Sequence, residues 1–145
     1  MRVCFRINDD KTVELVDFSA ESAVGADGKP ADLEQLKQGD CIAPRLHQLL
    51  AVHLTGEGTT GVHAYKHNTG SESARFHYLE HRMEELADGK LLTISMESEH
   101  HLHADYRMRF YDETAAVRVE TTLRNDGTEA VGLEYVSSFY YGGLS

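Results

Sequence analysis

Tryptophan is absent from this chain of 145 residues, and cysteine and proline occur only twice each. The missing Trp removes the commonest platform on which a sugar ring stacks, which counts against a free-standing carbohydrate-binding module. Cys4 and Cys41 are far apart and show neither metal-knuckle nor redox-pair spacing, so reduced, buried thiols are expected. No apolar run reaches the roughly 20 residues of a membrane-spanning helix. Met1-Arg2 leads directly into strand-like alternation instead of the apolar core of a signal peptide, so the expectation is a soluble, cytoplasmic protein. Basic residues are scarce as well. Fourteen Lys and Arg face 24 Asp and Glu, a formal charge of -10, which argues against nucleic acid or an anionic membrane as partner.

What is present is period-2 alternation. A chain of this length makes one domain with a real core. Leu92, Ile94 and Met96 share one face of a candidate strand. Ala104, Tyr106, Met108 and Phe110 form the next stripe, with Asp105, Arg107 and Arg109 opposite. Ala115, Val117, Val119, Thr121 and Leu123 form a third. Asp88-Gly89 between Met83 and Leu91, the segment 111–116 before the third stripe and Asn125-Asp126-Gly127 before Val131 supply turn chemistry, which predicts a meander of hairpins. Val131, Leu133, Tyr135 and Phe139 suggest a last strand. Arg2–Ile7 and Thr12–Phe18 read as an opening hairpin, and Leu49–Leu54 and Arg75–His81 add two strands. Only Ala31–Lys37 hints at a helical turn, and Gly56–Ser73 reads as a long loop, a kind of segment that often carries function. The expected fold is all-β: one antiparallel β-sandwich domain over 1–145, with Tyr106, Met108, Val117, Val119 and Leu133 buried between sheets.

Few constellations carry chemistry. Glu97, Glu99 and Asp105 lie among strand residues with basic neighbours, the pattern of a solvated face. No Gly-x-Ser-x-Gly elbow and no phosphate-cradling loop occurs. His101 and His103 have a genuine ligand spacing and are expected on one side of a strand, but the sequence offers no third ligand, so they are candidates for adventitious metal binding only. His77 and His81 lie too far apart along a strand to share an ion. No cofactor and no catalytic residue are expected in this chain.

Two stretches stand out: His67–Arg82, HNTGSESARFHYLEHR, and Gly132–Phe139, GLEYVSSF. They contain an Asn-rich turn, a Ser/Gly loop, an Arg-aromatic-x-Tyr strand ending at His-Arg, and a closing Leu-Glu-Tyr-Val-Ser-Ser strand. In this order and register they resemble the N-terminal β-domain of family-36 glycoside hydrolases, the α-galactosidases. The resemblance runs from about Arg2 to Leu144 and is densest from Leu49 onward. It implies a galactose-mutarotase-like β-supersandwich, of which this chain corresponds to the first part. It further implies a non-catalytic role: packing on a (β/α)8 barrel that follows the domain and holds both catalytic aspartates, and supporting a homo-oligomer. The parent activity so implied is retaining hydrolysis of terminal α-galactosides such as melibiose or raffinose. Loops of this domain reach the barrel's active-site mouth in some relatives, and Tyr65, His67 and Asn68 in the 56–73 loop are the candidate substrate-proximal residues here. Two alternatives stay open, a free-standing carbohydrate-binding module and a mutarotase-like isomerase using a His and a Glu. The terminal segment with Tyr135, Phe139, Tyr140 and Tyr141 is expected at the oligomer contact.

Overall fold

A computed structural model of the chain describes residues 2–19, 48–57 and 71–139. These residues build an antiparallel, all-β, sandwich-like structure. Its strands are β1 (Arg2–Ile7), β2 (Val13–Ser19), β3 (Val52–Leu54), β4 (Phe76–Leu86), β5 (Gly89–Ser98), β6 (Leu102–Tyr111), β7 (Val117–Asn125) and β8 (Leu133–Val136). A single 3-10 turn, Ser71–Arg75, precedes β4. The helical turn expected at Ala31–Lys37 lies outside the described residues, as do Cys41, Tyr140 and Tyr141. Among the described residues no helix is long and apolar enough to cross a membrane.

Strands β4 to β7 form the predicted meander, a four-stranded sheet in the order β4-β5-β6-β7. Its inner face carries the alternating stripes: Leu92, Ile94 and Met96 on β5 face the same way as Ala104, Tyr106 and Met108 on β6, all buried. Leu15, Leu49, Leu50 and Val52 close over that face. The β1–β2 hairpin covers part of it, with the Phe5 ring standing edge-on to Tyr106 at 6.5 Å between centroids. Turn chemistry sets this hairpin. Lys11 adopts a φ of 63°, and Asp10 Oδ1 accepts hydrogen bonds from the Thr12 amide at 3.0 Å and the Thr12 hydroxyl at 2.6 Å. The hydroxyl bond chiefly holds the Asp10 carboxyl below its ordinary pKa.

The β4–β5 turn needs glycine. Gly89 sits at a φ of 149°, and a Cβ there would collide with the Phe110 carbonyl on β6. Beside it Asp88 takes a bidentate pair of bonds from Arg109, at 2.7 and 2.9 Å.

Two expectations change. Only Val52–Leu54 of the predicted Leu49–Leu54 strand is extended, because Leu49, Leu50 and Ala51 pack into the core as irregular chain. The last strand does not continue the meander: β8 crosses to pair with β3, placing Val136 opposite Val52 and Leu133 opposite Leu54. Leu133, expected in the core, is therefore 49 % exposed. Tyr106 and Met108 are buried as expected, and Val117 and Val119 pack partly buried against the core.

Candidate functional site at the base of the 56–73 loop

Tyr65, His67 and Asn68 lie outside the described residues, but both ends of the loop that carries them are described. The loop leaves β3 through a tight turn at Thr55-Gly56, with Gly56 at a φ of 82°. Glu57 locks this exit by accepting the amide hydrogen of Leu54 at 2.9 Å, while its other carboxylate oxygen accepts the amide of Glu72 where the chain returns. One side chain thus ties the outgoing and incoming ends together. Ser73 adds a second clasp, its hydroxyl accepting from the Val52 amide at 2.8 Å and donating to the Val52 carbonyl at 2.9 Å.

At the centre of this base Glu72 is wholly buried. Its Oε2 meets His100 Nδ1 at 2.7 Å, the imidazole N–H donating, and lies 3.5 Å from Arg75 Nη1. Its Oε1 has no partner. A buried carboxylate oxygen without a bond costs roughly 1–3 kcal/mol, so the donors on Oε2, His100 and Arg75, must offset a real penalty. His100 comes from the β5–β6 turn, where the Ser98 hydroxyl accepts its amide at 3.2 Å, and its ring is half exposed. The arrangement is a carboxylate holding one face of an imidazole. It fixes the ring and its tautomer: with Nδ1–H on the carboxylate, Nε2 is the accepting nitrogen, and Arg75 Nη1 lies 3.3 Å from it.

His53 closes the far side of the base. Its Nδ1 lies 3.3 Å from the Glu134 carboxylate on β8, and its Nε2 lies 3.2 Å from the Glu57 carbonyl. The loop base therefore gathers β3, β8 and the β5–β6 turn at one end of the sandwich.

His101 and His103 are not brought together on one strand face. His101 sits in the turn before β6 at a φ of 60°, 3.8 Å from Glu97, whereas His103 is on β6. His103 Nε2 instead donates to Asp105 Oδ1 at 3.1 Å, an oxygen that also accepts the Ser95 hydroxyl at 2.6 Å. Partial burial pushes the Asp105 carboxyl up, but the bonds from Ser95 and His103 outweigh it, and the group is held below its ordinary pKa. These residues line a polar groove of about 370 Å³ on the outer face of the four-stranded sheet, with Glu80, Arg82, Thr93 and Arg107. Among the described residues no three His, Cys, Asp or Glu side chains converge as a metal set.

Sequence reasoning missed Glu57, Glu72 and His100. No local pattern marks them, since Glu72 and His100 are 28 positions apart and meet only through the fold. Comparison with known proteins identifies no relative: no family model, no curated protein and no solved structure matches the chain.

Proposed function

We propose that this chain is the non-catalytic N-terminal β-domain of an α-galactosidase of the family-36 type, packing on a catalytic (β/α)8 barrel and supporting its oligomer. One observation carries the reading: both stretches that bear the resemblance converge on β3. Ser73, from the first, bonds both backbone groups of Val52. Ser137, from the second, accepts the Ala51 amide on its hydroxyl at 2.9 Å and donates its own amide to the Ala51 carbonyl at 2.8 Å. The two motifs thus anchor the start of β3, Ser73 tying it to the turn before β4 and Ser137 extending its ladder with β8, which is the work of an architectural domain. The surface for such packing is the apolar strip of Val131, Leu133, Tyr135 and Phe139, each more than a third exposed. The parent's substrates in this reading are terminal α-galactosides such as melibiose or raffinose, and its compartment is the cytoplasm.

The test is turnover of nitrophenyl α-galactoside by this chain. A retaining glycosidase needs two carboxylates about 5 Å apart, and in this reading both stand on the barrel, so none is expected. The reading frame following Ser145 is expected to encode that barrel. Turnover by the chain alone, abolished by one Asp or Glu substitution, overturns the proposal. The Glu72–His100 pair favours a second reading, a mutarotase-like isomerase with His100 as acid and base. Polarimetry on freshly dissolved α-galactose separates the two, since only that reading expects acceleration that His100→Ala removes.

A further inference from the structure

We propose that β4 is a dimerisation edge, on which a second copy of this chain adds its own β4 antiparallel to form one continuous sheet across a two-fold axis. This is independent of the α-galactosidase reading.

β4 is the outermost strand of the meander sheet, with β5 on one side and no other described strand beyond it. The turn of the first hairpin closes only its beginning, where the Tyr78 amide donates to the Lys11 carbonyl at 2.7 Å. Past the bulge between Tyr78 and Glu80 the strand pairs regularly with β5 as far as Leu86. This stretch is exposed almost throughout, with Met83 at 52 % and the Arg82 side chain at 71 %. A strand of this length with no described partner on its outer side presents backbone donors and acceptors ready for another strand.

The side chains select the occupant and the register. Glu80, Arg82 and Glu84 stand opposite the outer-face residues of β5, while His81 and Met83 stand opposite Ile94 and Leu92 of the inner face. A two-fold partner strand must keep inner residues against inner ones, so the axis passes through a residue. An axis at Glu80, Arg82 or Glu84 sets that charge against its own copy, which is destabilising. An axis at His81 draws the bulge and the Lys11-bonded Tyr78 into the ladder. An axis at Met83 avoids both. Arg82 then faces the second copy's Glu84 and His81 faces its Glu85, each of these contacts occurring twice by symmetry, while Met83 meets Met83 once on the axis. Beneath this centre lies an apolar groove of about 310 Å³ lined by Phe5, Ile7, Tyr78, Met83 and Leu92. The paired Met83 side chains cover its open edge.

Sedimentation velocity over a concentration series tests this. The unaltered chain should dimerise reversibly. Arg82→Glu and Glu84→Arg each place like charges opposite, and each should weaken the dimer about tenfold or more. The double variant Arg82→Glu/Glu84→Arg restores opposite charges only with the axis at Met83 and should recover the dimer, whereas Tyr135→Ser should leave it unchanged. Circular dichroism reports whether each variant is folded. Amide exchange on the unaltered chain supplies a second readout, with protection of Glu80–Leu86 rising with concentration. A monomer at every concentration, single variants that dimerise undiminished, a folded double variant that stays monomeric, or unchanged exchange in Glu80–Leu86 would each overturn the proposal.

Discussion

Tyr106 shows what a single residue contributes when burial and polarity conflict. It is fully buried, its hydroxyl has no partner, and burial pushes its phenol far above the ordinary pKa. The ring does the stabilising through its contact with Phe5 and the core, while the hydroxyl carries an uncompensated desolvation cost. Tyr106→Phe is therefore expected to be neutral or to stabilise the fold by up to about 1 kcal/mol, read as the shift in urea midpoint at unchanged slope. The sequence placed Tyr106 on the buried stripe, because alternation reveals which face a side chain takes. It did not reveal the orphaned hydroxyl, since hydrogen-bond partners come from other strands. Glu72 was hidden for the same reason: a Glu beside serines reads as loop surface until the fold brings His100 and Arg75 against it.

At the scale of elements, the meander was legible because each of its strands pairs with its sequence neighbour and the turns before β5 and before β7 carry Asp88-Gly89 and Asp112, while the β5–β6 turn, Glu99-His100-His101, carries no such signal. β8 was not. Its alternation of Leu133 and Tyr135 with Glu134 announced a strand, but nothing local says whether a strand extends the sheet before it or crosses to another. Crossing to β3 turns Leu133 outward. The contrast can be measured. Val119→Asp puts a charge against the core at Met108, its cross-strand partner, and is expected to cost about 2 kcal/mol or more. Leu133→Asp should stay within about 0.5 kcal/mol, as surface changes do. Equal losses in chemical denaturation would mean that the β8 register is wrong.

For the molecule as a whole, the strand pair β3–β8 joins distant parts of the chain. The bond between Ala51 and Ser137 spans 86 positions, whereas the Ser95–Asp105 bond inside the meander spans 10. In the unfolded chain the longer closure costs about 2 kcal/mol more in lost freedom. Contacts of that span are the slow ones to form, so the meander should assemble first and the β3–β8 ladder should lock last. Ser137→Ala is accordingly expected to speed unfolding while leaving the folding rate nearly unchanged, and Met108→Ala to slow folding, both read by stopped-flow mixing. On this expectation the clasp at the three-residue β3 is a kinetic latch: it should set the lifetime of the native state without taking part in its nucleation.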